Sequence, residues 1–279
     1  MEKLLDEIES YWSTRTEGYS EVNHKELAGT QKNSWLKVLT SQFPDKPKEE
    51  IRILDIGTGP GFFPVILAEA GYHVDAVDYT EGMLEKAKEN AGELCRNIHF
   101  QRMDAQKLEF EDNTFDVVIS RNLTWNLEHP DVAYREWVRV LKVGGKLLNF
   151  DANWYGYLYE EEQRKAYEND RKNVENNSLD DHYLCTDIER MERIALLVPL
   201  SKIRRPEWDV KTLREAGLLG IHTDTEIWKT VWSEEERLNY QSTPMFMVTG
   251  VKPDHFLNLP VVEGEKTEGF LEIGDGEFT

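Results

Sequence analysis

Three glycines at two-residue spacing, Gly57, Gly59 and Gly61, interrupt the apolar run ILDIGTGPGFF at residues 53–63. A stretch with so few side chains lets a ligand touch backbone N–H groups directly, and a helix opening there presents unpaired donors. Asp78 follows the first glycine by about 20 residues, the distance at which a carboxylate can accept charge-assisted hydrogen bonds from both hydroxyls of an adenosine ribose. Asp104, in the segment MDA, is placed to accept a hydrogen bond from an adenine amino group, and Met83 offers a polarizable surface to the ring. Together these residues point to a ligand built on a nucleoside. The dinucleotide fingerprint GxGxxG would put glycine or alanine at position 62, where this chain has Phe62. That weakens a nicotinamide cofactor without excluding it, and a tight turn with no ligand is the plain alternative.

Other residue types address a second reactant. His129 and His182 are the candidate general bases, against the ordinary role of a structural or surface histidine. The run Trp154, Tyr155, Tyr157, Tyr159, with Trp125 in a loop that should face it, suggests the wall of an acceptor pocket. Aromatic faces attract cations by about 0.5 to 2 kcal/mol, which admits an amine acceptor. The competing reading is aromatics that pack a lid onto the body of the protein. The histidines lack HxxxH spacing and the DDH triplet at 180–182 is isolated, so no metal is expected. Cys95 and Cys185 form no CxxC pair and read as free thiols.

The elements that must position these residues alternate strand and helix from about residue 51. IRILDI is a short apolar run rich in β-branched residues, and GFFPVILAEAG carries apolar residues at helical spacing, with Pro64 in its first turn and Gly71 as its cap. HVDAVD is the second strand, and Thr80 caps the helix EGMLEKAKENAGEL. NIHFQRMDA, FDVVISRN and GGKLLNFDA follow as third, fourth and fifth strands, the last after the helix VAYREWVRVL. Repeated βα units imply a doubly wound α/β core with a mostly parallel sheet. Around it the chain divides into a helical N-terminal cap (1–50), the cofactor-binding core (51–151), an inserted helical lid (152–206), a C-terminal part of the core (207–252) and an acidic tail (253–279). The C-terminal part is expected to hold a helix at 209–217, a strand-like segment at 223–232 and a last strand at 245–251.

The chain has 279 residues, enough for a substantial core, and a net charge of −20. That surface field repels phosphate backbones and anionic lipids, so neither nucleic acid nor membrane is expected as a partner. With no apolar block of membrane-spanning length and a charged, amphipathic N-terminus, the sequence reads as a cytoplasmic protein.

Taken in order, LDIGTGPGFF, VDYTEGML, MDAQKLEFEDNTFDVVISRNLTWNLEHP and REWVRVLKVGGKLL resemble the class I methyltransferases that use S-adenosylmethionine. The resemblance covers roughly residues 50–151 and implies their seven-stranded Rossmann-like sheet. It further implies that Asp55, Gly57, Gly59 and Gly61 hold the methionine end of the cofactor. Asp78 with Met83 would meet the ribose, and Asp104 with Ala105 the adenine. Arg121 and Asn122 would lie beside the amino acid end. The opening YWSTRTEGYS is similar to the segment that folds over the cofactor in small-molecule members, which brings in Tyr11, Tyr19 and Ser20. After the fourth strand SRNLTW stands where nucleobase-methylating relatives carry an Asn-Pro-Pro-aromatic box, so a small-molecule acceptor is expected. An NAD-dependent oxidoreductase and a non-catalytic S-adenosylmethionine-binding protein are the alternatives.

Overall fold

The protein is described by a computed structural model covering residues 4–182 and 186–254. Cys185 and the acidic tail beyond residue 254 lie outside the described residues. The chain opens with two helices, α1 (Leu4–Ala28) and α2 (Gln31–Thr40). Alternating units follow: β1 (Arg52–Ile56), α3 (Phe62–Glu69), β2 (His73–Asp78), α4 (Glu81–Ala91), β3 (Ile98–Arg102), β4 (Phe115–Arg121), α5 (Pro130–Val140) and β5 (Leu141–Asp151). Then come α6 (Glu161–Asn176), α7 (Ile188–Ala195), α8 (Glu207–Glu215), β6 (Leu219–Asp224), α9 (Trp228–Val231), α10 (Glu234–Asn239) and β7 (Phe246–Val251).

The sheet has seven strands in the order β3-β2-β1-β4-β5-β7-β6. β1 through β5 pair in parallel, and β7 runs antiparallel to both β5 and β6. Strand alternation divides the core into two layers. Ile53, Val117, Ile119, Leu148 and Phe150 face one way, against Trp35, Leu39 and Phe63. Leu54, Ile56, Val118 and Leu147 face the other, against Tyr134, Trp137 and Leu213. With both faces covered, a polar site can open only at the strand ends. Chain order reverses between β1 and β4, and the crevice at such a switch point is where open α/β sheets bind ligands.

A third apolar cluster sits over those ends. Ile8 and Tyr11 of α1 pack with Trp125, Tyr155, Tyr157 and with Met191 and Ile194 of α7. Two helical segments, one before the sheet and one inserted after β5, thus roof the same edge.

The C-terminal third departs from expectation. The segment 223–232 holds the last two residues of β6, a turn and the one-turn helix α9, and the strand itself lies earlier, at Leu219–Asp224. Ile227 and Val231 are buried four residues apart, and Trp228 packs against Trp232 with ring centroids 5.9 Å apart, so the period that matters is the helical one. β6 is an edge strand with no buried residue, and for that reason shows no inward–outward alternation. Among the described residues no helix is long and apolar enough to cross a membrane.

Candidate functional site

The turn after β1 is held by the neighbouring strand. The backbone N–H groups of Gly57 and Thr58 both donate to the carbonyl of Val77, at 2.9 and 3.0 Å. Gly57 has φ +71°, and a Cβ there would stand 2.8 Å from the Leu123 side chain. Gly61, φ +90°, opens α3, and a Cβ there would meet that of Ala87 at 3.0 Å. Both positions need glycine for conformation and for space. Asp78 finishes the clamp, its Oδ2 accepting from Gly59 N and its Oδ1 from Thr80 N, each at 2.9 Å.

A cavity of about 1070 Å³, its open mouth included, lies outside these strand ends. Its floor is the turn itself, and its walls come from the ends of β2, β3 and β4 and from α1. Five carboxylates line it, those of Glu9, Asp55, Asp78, Asp104 and Glu128, against one guanidinium, Arg121. That guanidinium is spoken for. Glu26 of α1 accepts from it in a bidentate pair at 2.8 and 3.1 Å, and it lies over the ring of Phe62. Glu9 is likewise paired, accepting from Arg102 at 2.9 Å, and the remaining acids leave the cavity anionic. Burial pushes the Asp55 carboxyl up to about 7, with the charge of Asp78 adding to the shift and Arg121 opposing it. Burial also raises Asp78, against the pull of the N–H groups of Thr80 and Gly59. Three buried amide atoms on the wall, Asn23 Oδ1, Asn122 Oδ1 and Asn126 Nδ2, have no hydrogen-bond partner among the described residues. Buried polar atoms are rarely left so unless a ligand or water completes them.

A second cavity adjoins the first and shares Trp12, Tyr19 and Asn122 with it. Trp125 and Tyr155 pack here with ring centroids 5.0 Å apart. Trp154 and Tyr240 form an edge-to-face pair at 5.2 Å. Both tryptophans are hooked to one buried carboxylate: Asp151, at the end of β5, accepts from Trp125 N and from Trp154 Nε1, each at 3.0 Å. His182 also lines this cavity, with Nδ1 2.9 Å from Tyr240 Oη and Nε2 3.0 Å from Glu235 Oε1.

Comparison with known proteins agrees with the geometry. Residues 54–149, the stretch from β1 to β5 that builds the first cavity, match the family model described as a methyltransferase domain. In this stretch the chain is similar to known methyltransferases. An uncharacterized protein of Haemophilus influenzae is 34% identical over 164 residues, 52% of this chain and 63% of that protein. The demethylmenaquinone methyltransferase of Clavibacter sepedonicus is 39% identical over 97 residues, 35% of this chain and 39% of that enzyme. The chain therefore spans less than two thirds of the length of these relatives. Among solved structures, phosphoethanolamine N-methyltransferase 2 of Haemonchus contortus, in complex with S-adenosyl-L-methionine, superposes with a TM-score of 0.56 at 20% identity, covering 79% of this chain and 52% of that one. At that identity the likeness is one of fold.

Within the methyltransferase fold, Asp55, Gly57, Gly59, Asp78, Met83, Asp104, Ala105, Arg121, Asn122 and Tyr19 all line the first cavity. Gly61 stands behind the turn and acts through packing. Ser20 is buried and reaches the turn only through Asn90, whose amide donates to the Pro60 carbonyl at 2.9 Å. Tyr11 lines the second cavity, beside Trp125, Trp154 and Tyr155. Tyr157 and Tyr159 lie outside both. A 3₁₀ turn at Gly156–Leu158 rotates the aromatic run, so Tyr157 stacks on Tyr167 at 4.0 Å and Tyr159 is 42% exposed. His129 is also outside, at the start of α5 with its side chain 61% exposed.

Several lining residues were not singled out by sequence. Glu9, Trp12, Arg15 and Asn23 all come from α1, and with Tyr19 they fall at three- and four-residue steps along one face. That spacing was the available signal. Trp12 also donates from Nε1 to Asn126 Oδ1 at 2.6 Å, tying α1 to the loop after β4.

Proposed function

We propose that this chain transfers a methyl group from S-adenosylmethionine to a small-molecule acceptor, with the first cavity holding the cofactor and the second the acceptor. The observation that carries this is the charge of the first cavity: five carboxylates and one already paired guanidinium suit a cationic ligand and repel a pyrophosphate. The residues fit the cofactor. The glycine turn leaves room for close approach, Asp78 and Asp104 offer acceptors at two strand ends, and the amide atoms Asn23 Oδ1, Asn122 Oδ1 and Asn126 Nδ2 are open to a polar ligand.

When bound, S-adenosylmethionine supplies a methyl on a positive sulfonium; the acceptor's lone pair bonds to that carbon as the carbon–sulfur bond breaks, sulfur keeps the electron pair, and the acceptor's proton passes to a base or to solvent. The chain's own contribution is alignment and exclusion of water, and orientation of two reactants is worth about 7 to 11 kcal/mol. α1 roofs both cavities, and Trp12, Tyr19 and Asn122 stand where the two meet. A proton leaving the acceptor can pass to Tyr240 Oη as that phenol gives its own proton to His182 Nδ1, with Glu235 beside Nε2 to stabilise the imidazolium. His129 has no part in this route. The name of the Clavibacter enzyme denotes a small-molecule acceptor, which supports the same class here.

Asp55 gives the proposal a pH signature. Its carboxyl titrates near 7 in the free protein, and a cationic ligand beside it favours the ionised form. Binding must then expel a proton below that pH and weaken as the solution is acidified. Titration calorimetry with S-adenosylmethionine, which carries the positive sulfonium, should show affinity falling about tenfold from pH 8 to pH 6, with that dependence largely removed in Asp55→Asn. NADH titrated alongside should bind at least a hundredfold more weakly. Preference for NADH would overturn the proposal.

A further inference from the structure

We infer that the second cavity takes a small acceptor bearing an oxyanion group, a carboxylate or a phosphate, and that Arg15 is the residue that holds it. This inference rests on the assignment of that cavity to the acceptor. Its basis is the contrast in charge between two adjoining cavities of one protein. The chain carries 53 acids against 33 bases, and the first cavity concentrates that excess with five carboxylates. The second has no carboxylate among its described lining residues, and its one permanent cation is Arg15 of α1.

The guanidinium of Arg15 forms no ion pair or hydrogen bond among the described residues, whereas the other arginine at this site, Arg121, is held in a bidentate pair by Glu26. An arginine without a partner, half-buried beside an aromatic wall, presents a planar fork of donors that matches a carboxylate or phosphate. In so acidic a chain, nearby carboxylates are the easiest partners to supply, and this cavity has none. Hydroxyl-bearing side chains surround it: Tyr11, Tyr19, Thr186 and Tyr240 line the same space and keep it polar without adding negative charge. Trp125, Trp154 and Tyr155 would contact the apolar body of the acceptor. An anchored oxyanion would also orient the nucleophilic atom toward the shared boundary at Trp12, Tyr19 and Asn122.

The test uses simple aromatic probes on the full chain saturated with S-adenosylhomocysteine, with binding read from tryptophan fluorescence. Benzoate and phenyl phosphate are compared with benzamide, their neutral counterpart, and with benzylamine. Wild type should bind at least one of the two anions tenfold or more tightly than benzamide, and the better of the two distinguishes carboxylate from phosphate recognition. Arg15→Gln should lose that selectivity, and Arg15→Lys should keep part of it. Both variants should bind S-adenosylhomocysteine within about twofold of wild type, since Arg15 does not line the cofactor cavity. Equal binding of benzamide, a preference for benzylamine, or anion selectivity that survives in Arg15→Gln would each overturn the inference. Failure to bind S-adenosylhomocysteine at all would instead reject the methyltransferase assignment on which it rests.

Discussion

Arg205→Met is expected to destabilise the protein by about 3 to 5 kcal/mol, the largest effect of any single substitution considered. The Arg205 side chain is fully buried between two equally buried carboxylates, with Nη1 2.6 Å from Asp151 and Nη2 2.6 Å from Asp209. Burial opposes its charge, and the two carboxylates outweigh that and hold its pKa well above the usual range for arginine. Asp209 also accepts from Tyr134 Oη, which in turn accepts from Asn149 Nδ2 at 2.8 Å, and Thr124 Oγ1 donates to Asn149 Oδ1 at 3.1 Å. One cation thus joins the end of β5, the loop after β4, α5 and α8. Its removal leaves Asp151 and Asp209 buried without a counter-charge. For a chain of this size each kcal/mol corresponds to roughly 2 to 4 °C, so the thermal midpoint should fall by about 6 to 20 °C. Adding Asp151→Asn and Asp209→Asn should restore part of the loss, since a buried neutral set avoids the unpaired charges. A midpoint within 2 °C of wild type in the single variant would show that the network is not stabilising. Trp125 and Trp154 hang on Asp151, so acceptor binding should weaken with stability in this variant.

Asp78→Ala has the second-largest expected effect, a loss of cofactor affinity of about 30- to 300-fold, or roughly 2 to 3.5 kcal/mol. Two contributions add. The contact proposed between the carboxylate and the ribose would be lost, and so would the observed bonds from Gly59 N and Thr80 N, which set the position of the glycine turn. Asp78→Asn separates them, because the amide oxygen can still take one backbone N–H while the charge is gone. Calorimetry with S-adenosylhomocysteine should rank wild type above Asp78→Asn above Asp78→Ala. Unchanged affinity in the alanine variant would mean that the ribose is bound elsewhere.

The parts of this fold legible in sequence were those where one signal served one purpose. ILDI and FDVVIS are buried on both faces, so they stand out as apolar runs, and the turn between β1 and α3 is marked by glycines that cannot be replaced without strain. The strand ends followed, and with them Asp78 and Asp104. The edge strand at Leu219–Asp224 was hidden because it buries little, and the apolar alternation just beyond it came from a helix. Arg205 and its partners were invisible for another reason: Asp151 lies 54 residues away in sequence and Tyr134 meets Asp209 across 75. No local pattern encodes such a network. The site showed the same division. Residues on the sheet were found by position after a strand, whereas Tyr157 and Tyr159 were grouped with Trp154 and Tyr155 by adjacency alone, and a 3₁₀ turn sends them elsewhere. The face of α1 lay between these cases, readable from its spacing once the helix was known to cover the strand ends.

Transfer of labelled methyl from S-adenosylmethionine into an extract of the source cells, resolved into small-molecule, protein and nucleic acid fractions, tests the proposed activity most directly. The expected result is enzyme-dependent label in the small-molecule fraction, abolished by Asp78→Ala and concentrated in compounds retained on an anion-exchange resin. Label confined to protein or nucleic acid, or no transfer by a chain that binds the cofactor, would contradict it.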